Sequence, residues 1–576
     1  MTQSTNSKNR NHLSSVFMAA ALVCFVHFSP HKVNAQPYVG EIRIFAGEFA
    51  PNGWMFCEGQ QLPISENEVL FQLIGTTYGG DGQVTFQLPD LRGRVPLHQG
   101  TGPDGMTYII GEMGGLEQVT LTTSQIPIHS HALVVNTAKG ESVDPSQRFL
   151  ARNAAGAVQY GPITESTANP STLGATGGNQ PHENRQPYLA LNYIISLFGV
   201  FPSPTMDGSG PEYLLLNPDH SIVPYDPADN TERFLSQILI MSYNFTPKYF
   251  VMCNGQLLPI NQNQALFSLL GTTYGGNGQT NFALPNLKGR VPVGSGNGWN
   301  LGESGGSSSV TLTPSNLPEH NHSLNASGAP GNSNSPEGGI YAINATDVPA
   351  FSGISSQTTD LAITASGGSQ PHENMQPFTT LTYCIALIGV FPSPSKGPVK
   401  QKNSNSPKYS DAFLAEVIIM PTNFAPDGYE RCDGQSVALS QNTALFSLLG
   451  YNYGGAGNEF RLPDLQGRLI IHPGQGPGLS NYELGETGGE EYVTLTESQI
   501  PSHNHLLKVA ATSTSDSPSG STIGPISGGY LSGSPNVTLN NQSITRTGST
   551  QPHRNVMPSL CLNFFISEQG IFPQRP

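Results

Sequence analysis

The chain of 576 residues repeats itself three times, and no other feature constrains its fold as strongly. The offsets between equivalent motifs stay within 178 to 196 residues, so the copies are collinear and differ only in their loops. The recurring motifs begin at Phe49, Phe245 and Phe424, at Leu70, Leu266 and Leu445, at Leu88, Leu284 and Leu462, and at Thr120, Thr311 and Thr494. This pattern predicts three tandem domains at residues 36–202, 234–392 and 413–576. They are joined by polar linkers at residues 203–233 and 393–412.

The composition favours a β-rich globular protein. Charged residues make up 11% of the chain, against the ~25% usual for soluble proteins, whereas 65 Gly and 47 Pro residues supply turns. A 36% apolar content with 26 Phe and 20 Tyr is too high for a disordered chain. Alternation in Glu41–Ile44 predicts a half-buried strand, and a second strand is expected at Val119–Thr122.

One short helix is expected in each repeat, so the predicted fold class is mainly β with a minor α component (α+β). Ser65 and Glu68 have the spacing of a capping box, and Gly75 stands where a helix needs a left-handed residue to end. The apolar residues between them form a stripe. The predicted helices cover residues 65–74, 261–270 and 440–449.

The N-terminus and the net charge bear on location and partners. Lys8 and Arg10 precede an apolar run that ends in Val33-Asn34-Ala35, which is the plan of a secretory signal peptide (residues 1–35). We therefore expect cleavage after Ala35, a secreted protein and no membrane span, because the run is shorter than ~20 residues. The net charge of −15 disfavours nucleic acid as a partner.

The sequence His-x-His occurs once in each copy and is the strongest candidate for a metal site. Neutral imidazoles are good ligands for transition metals, and residues two apart on a strand share a face. The candidate ligands are His129, His131, His320, His322, His503 and His505. The alternative is that these side chains only hydrogen-bond to backbone carbonyls in the loop after the Ile-Pro or Leu-Pro turn.

A third repeated histidine follows Gln-Pro and supports an enzyme alternative. His182, His372 or His553 would add a third imidazole to the pair of its own copy, which is the ligand count of a catalytic zinc site. No repeated carboxylate supplies a general base, since the Glu that follows the first two of these histidines is Arg554 in the third copy. The sequence therefore favours a non-enzymatic protein.

Two further repeated positions have structural interpretations. Arg94, Arg290 and Arg468 are expected to be buried, with Asp90 or Asp464 as ion-pair partner, although a site for a carboxylate ligand is an alternative. Five cysteines remain after Cys24 leaves with the signal peptide. The first copy lacks a partner for Cys57, so buried free thiols are favoured over a shared disulfide framework.

These motifs carry a family resemblance. The segment from Gly40 through GWMFCEGQQLPISENEVLFQLIGTTYGGDGQVTFQLPDLRGRVP resembles the phage tail collar domain. The whole unit, through IPIHSH to QPHENRQPYLALNYIISLFGVFP, is similar to the microcystin-dependent protein family.

The resemblance implies a trimeric fold used at tail-fibre tips for attachment to cell surfaces, without enzymatic activity. It also implies that His-x-His pairs from three chains surround one iron ion with six imidazoles. For this chain we expect an intramolecular pseudo-trimer rather than an obligate homo-oligomer. The expected metal is Fe(II) or another octahedral divalent transition metal, and the expected partner is a cell-surface or extracellular ligand, for which a glycan is one candidate.

Overall fold

The computed structural model is mainly β, with one short α-helix in each repeat, so the predicted fold class is confirmed. The structure describes residues 36–155, 160–161, 168, 170–202, 214–216, 222–224, 233–334, 340–344, 346, 351–352, 357–359, 363–394, 412–507, 509–510, 512–514, 522–525, 530–531, 537–539 and 543–575. The expected signal peptide lies outside these residues, and so does most of both linkers. No helix in the described parts is long and apolar enough to cross a membrane.

The first copy contains one helix and the strands β1 to β16, and two strands of the first linker follow it. Their bounds are β1 Glu41–Phe45, β2 Trp54–Phe56, β3 Gln61–Pro63, α1 Glu68–Ile74, β4 Thr85–Gln87, β5 Val95–His98, β6 Gly100–Thr101, β7 Thr107–Tyr108, β8 Met113–Gly114, β9 Gln118–Val119, β10 Leu133–Lys139, β11 Phe149–Arg152, β12 Tyr160–Gly161, β13 His182–Glu183, β14 Tyr188–Ala190, β15 Asn192–Ser196, β16 Gly199–Val200, β17 Leu214–Leu216 and β18 Ile222–Pro224. Strands β16, β17 and β18 form a small antiparallel sheet, so part of the linker packs on the first copy.

The second copy repeats this order. Its elements are β19 Ile238–Met241, β20 Phe250–Met252, β21 Leu257–Pro259, α2 Gln264–Leu270, β22 Asn281–Ala283, β23 Val291–Gly294, β24 Ser304–Gly305, β25 Ser309–Val310, β26 Asn325–Pro330, β27 Ile340–Ile343, β28 Phe351–Ser352, β29 Gln357–Thr359, β30 His372–Glu373 and β31 Phe378–Ala386.

The third copy ends the described chain. Its elements are β32 Glu416–Met420, β33 Tyr429–Arg431, β34 Ser436–Ala438, α3 Thr443–Leu449, β35 Gly455–Ala456, β36 Glu459–Arg461, β37 Leu469–Ile471, β38 Gly474–Gln475, β39 Asn481–Tyr482, β40 Thr487–Gly488, β41 Tyr492–Val493, β42 Thr522–Ile523, β43 Tyr530–Leu531, β44 Val537–Thr538, β45 His553–Arg554 and β46 Ser559–Ser567.

The helices form where the sequence predicted them, but they begin later and without the expected cap. A one-turn 3-10 helix at Ile64–Glu66 precedes α1, and Asn67 rather than Ser65 is the N-cap. Neither the capping box nor any other side-chain cap is present at α1. Gly75 ends the helix at φ +53°, as predicted, and Leu70 and Ile74 are its buried residues.

The last long strand of each copy is shared between two copies. Strands β15, β31 and β46 pair with the first two strands of their own copy. The preceding segment of the chain then pairs with another copy. Strand β14, directly before β15, pairs with β37 and β40, the N-terminal part of β31 pairs with β5 and β8, and the N-terminal part of β46 pairs with β23 and β24. This cyclic exchange interlocks the three copies into the expected pseudo-trimer.

The first strands of the three copies meet on the central axis. Each of β1, β19 and β32 pairs with the other two, so these strands surround a common core. Strand β1 is buried along its whole length, which corrects the expectation that it is half-buried. The strand predicted at Val119–Thr122 is also mostly absent, since β9 spans Gln118–Val119 and ends there.

A buried ion network explains the complete burial of β1. Glu41 accepts hydrogen bonds from Arg43 (Nε to Oε1, 2.8 Å) and from Arg233, the last residue of the linker before the second copy (2.7 Å to Oε2). Arg43 also donates to Glu416 of the third copy at 3.0 Å. The polar positions of the alternating pattern therefore face charged partners from the neighbouring copies rather than water.

The cysteines bear out the favoured interpretation. All five described cysteines are free and buried: Cys57, Cys253, Cys384, Cys432 and Cys561. Burial raises the pKa of the Cys57 thiol well above its ordinary value. These thiols act as small apolar side chains in the core.

Candidate metal centre

Each His-x-His pair is held by the backbone of a neighbouring copy. His129 pairs with Ser366 through two hydrogen bonds of 2.9 Å, and His320 and His503 form the same bridge with Thr547 and Thr176. These are isolated bridges in loops, so the predicted strand context is wrong. Even so, both imidazoles of each pair point to one place.

Backbone carbonyls fix the tautomer of all six imidazoles. The first histidine of each pair donates from Nδ1 to a proline carbonyl two residues earlier, at 2.9 to 3.0 Å. The second donates to a carbonyl of a different copy at 2.7 to 2.8 Å: His131 to Thr545, His322 to Gly174 and His505 to Thr364. Because a carbonyl oxygen only accepts, each Nδ1 carries the proton and each Nε2 is left with a free lone pair.

The six Nε2 atoms converge on one point of the axis. The Nε2 atoms of His129 and His503 are 3.1 Å apart, and those of His129 and His320 are 3.2 Å apart. Adjacent nitrogens around an octahedral metal with ~2.1 Å bonds lie about 3 Å apart, so this spacing fits such an ion. Lone pairs at this distance repel one another, and a cation between them removes the repulsion.

Burial keeps all six imidazoles neutral. Their side chains are between 1% and 6% exposed, and this burial lowers the pKa of every one of them. The pKa falls to about 4 for His131 and His503, about 3 for His505 and about 2 for His322. At pH 7 the cluster therefore offers six neutral nitrogen ligands, which is the set that suits Fe(II) or a related divalent transition metal.

Three glycines that the sequence analysis did not single out support the cluster from behind. A Cβ at Gly177 would lie 2.3 Å from the carbonyl oxygen of Pro501, which is the acceptor for His503. A Cβ at Gly367 or Gly548 would be equally close to the carbonyl oxygen of Pro127 or Pro318, respectively. All three glycines have φ near +105°. Their recurrence five residues before the Gln-Pro-His histidine was the signal that could have revealed them.

The Gln-Pro-His histidines do not join the His-x-His pairs of their own copies. His182, His372 and His553 lie together instead, with ring centroids 5.1 to 5.3 Å apart. The three-histidine site within each repeat, which the enzyme alternative requires, is therefore wrong. Cyclic packing brings equivalent residues together on the axis and separates the different histidines of one copy.

The repeated arginines follow the expected structural role only in part. Arg468 forms the predicted ion pair with Asp464 at 2.6 Å, and Arg290 donates to the Asn286 carbonyl at 3.3 Å. In the first copy, however, Asp90 pairs with Arg92 at 2.7 Å rather than with Arg94. Nothing in this arrangement supports a site for a carboxylate ligand.

The N-terminal third of each copy matches a known family. The sequence profile of the Phage Tail Collar Domain matches residues 40–96, 236–292 and 415–470. The chain carries three phage tail collar domains. No curated protein and no solved structure gives a significant match.

The histidines of the cluster lie after the collar match in each copy. Each match begins just before the first strand and ends near β5, β23 or β37, ahead of the His-x-His pair. Collar domains are tail-fibre-like structural or binding modules. The histidine cluster that could hold a metal lies in the part of each copy that follows the collar match, and its support is the geometry described above.

Proposed function

We propose that this protein is an exported, non-enzymatic adhesion protein that recognises a cell-surface or extracellular ligand. The observation that carries the proposal is the exchange of terminal strands among three collar domains. It gives a single chain the intertwined, threefold architecture that suits a tail-fibre tip. The signal-like segment at residues 1–35 supports export of this chain.

The six-histidine centre would have a structural role in this protein. The six imidazoles would hold one Fe(II) or similar divalent ion and fill its coordination shell, leaving no position for substrate or water. Because each pair comes from a different copy, such an ion would fasten the three copies at one point. A rigid axis would keep the surface loops in fixed positions for binding.

A surface segment of the first copy supports a binding role. Ile109, Met113 and Leu116 are 66%, 56% and 51% exposed and lie within eight residues of one another. Aligned on the shared Gly-Glu motif, the second copy has Asn300, Ser304 and Ser307 at these positions, and the third has Glu483, Thr487 and Glu490. Exposed apolar clusters mark interaction sites, and fusion into one chain lets a single copy diverge to form one.

Replacing this segment with the residues of the second copy is expected to weaken ligand binding at least about tenfold, since it removes the exposed apolar area. The variant is Ile109→Asn/Met113→Ser/Leu116→Ser, and co-sedimentation with isolated cell envelopes, together with binding to immobilised glycans, measures the effect. Ser304→Thr/Ser307→Glu is the matched control and should bind as the parent does. Absence of binding to every envelope and glycan preparation would contradict the proposed function, and unchanged binding of the variant would exclude this segment as the site.

A further inference from the structure

A second histidine cluster lies on the axis, apart from the six-histidine centre. His182, His372 and His553 come one from each copy and are 1%, 1% and 5% exposed. Each begins a short strand that pairs with a strand of its own copy, at Val119, Val310 and Val493. Backbone pairing therefore places all three rings independently of any ligand.

The Nε2 atoms of these three rings have no hydrogen-bond partner. His182 and His372 donate from Nδ1 to the carbonyls of Glu183 and Glu373, both at 2.9 Å, so their Nε2 atoms carry lone pairs. All three Nε2 atoms are buried and unsatisfied. A buried polar atom without a partner destabilises the fold, so three of them together need an explanation.

Three buried asparagines follow these histidines in the sequence. Each of them lies two residues after one of the three clustered histidines and is 1% exposed: Asn184, Asn374 and Asn555. The NH₂ group of each donates to two carbonyls, one in its own copy and one in another, at 2.9 to 3.1 Å. The orientation of each amide is thereby fixed, and its Oδ1 remains buried without a partner.

We propose that His182, His372 and His553 form a second metal centre that binds one divalent transition metal through their three Nε2 atoms. Their ligand atoms lie within 4.8 Å of one another, and three neutral imidazole nitrogens suit borderline ions such as Zn²⁺, Ni²⁺ and Co²⁺. Only three of its ligands are imidazoles, so this centre binds metal more weakly than the six-histidine centre. Its existence does not depend on the proposed adhesion function.

Metal counting on the intact mature protein tests the proposal. The chelator-stripped protein is titrated with Co²⁺, with visible absorption and calorimetry as readouts. Two ions per chain are expected, in two phases of different affinity. His182→Gln/His372→Gln/His553→Gln should lose the weaker phase and keep the tighter one, whereas His131→Gln/His322→Gln/His505→Gln should lose the tighter phase and keep the weaker.

A single substitution guards against misfolding of the triple variant. His553→Gln is chosen because Nδ1 of this ring makes no hydrogen bond in the fold, so the change disturbs the least structure. It should weaken the second phase at least about tenfold with unchanged circular dichroism. One ion per chain in the parent, or a second phase that persists unchanged in His553→Gln, would overturn the proposal.

Discussion

Glu41→Gln is expected to lower the free energy of unfolding by about 3–5 kcal/mol, because it removes the carboxylate shared by two buried guanidinium groups. Glu41 is fully buried and accepts from Arg43 of its own copy and from Arg233 at the end of the linker that leads into the second copy. Glutamine itself fits the strand, since Gln237 stands at the equivalent position of the second copy. The loss therefore reports the missing charge rather than a change of shape.

The effect of this substitution should depend on pH. Burial would raise the pKa of Glu41, but Arg233 and Arg43 more than offset it and lower the pKa to about 2. A lowered carboxyl pKa stabilises the fold above the unfolded value of about 4.3, and this contribution disappears as the pH falls toward 2. The difference in free energy of unfolding between the parent and the variant should therefore have its full size at pH 7 and decrease steadily below about pH 4.

Chemical denaturation of both proteins between pH 3 and pH 7 measures this gap. Glu416→Gln is the matched control and should cost less, since Arg43 keeps its bond to Glu41. A Glu41→Gln protein as stable as the parent at pH 7 would show that the network does not hold the copies together.

Chelation of the metal-loaded protein is expected to lower its melting temperature by roughly 4 °C or more. An unfolded chain cannot assemble six ligands from three copies, so the metal binds the folded state alone. At a free concentration 1,000 times Kd this linkage contributes about 4 kcal/mol, and tighter binding contributes more. For a chain of this length one kcal/mol corresponds to about 1 °C.

Thermal melting with and without chelator measures the effect. In His131→Gln/His322→Gln/His505→Gln the chelator should leave only the small shift due to the second centre. The triple His→Gln variant at His182, His372 and His553 is the matched control, and chelation should still lower its melting temperature by most of the amount seen in the parent. An unchanged melting temperature of the metal-loaded parent on chelation would contradict the six-histidine centre.

The sequence was informative where local chemistry decides the structure. Gly75 ends its helix as predicted, since glycine tolerates the positive φ that the turn requires. The six candidate ligands also converge as the family resemblance implied. Repetition of the motifs pointed to residues that the fold brings together, because equivalent positions of a cyclic assembly meet on its axis.

The errors arose where another copy decides the outcome. Glu41 and Arg43 follow a half-exposed pattern, yet they are buried against Arg233 at the end of the linker and Glu416 of the third copy. Similarly, His182 was assigned to its own copy, whereas it packs against the equivalent residues of the other two. Periodicity reports which faces of a strand are polar, but it does not show which distant partner covers them.

Small-angle scattering on the chromatographically purified mature protein tests most directly the central claim, that three collar-containing copies form one intramolecular trimer. The predicted result is the mass of a single chain with a radius of gyration of roughly 25 Å, the value for one globule of this length. A mass of three chains, or a single chain with a radius of about 35 Å or more, as for separate domains in a row, would contradict it.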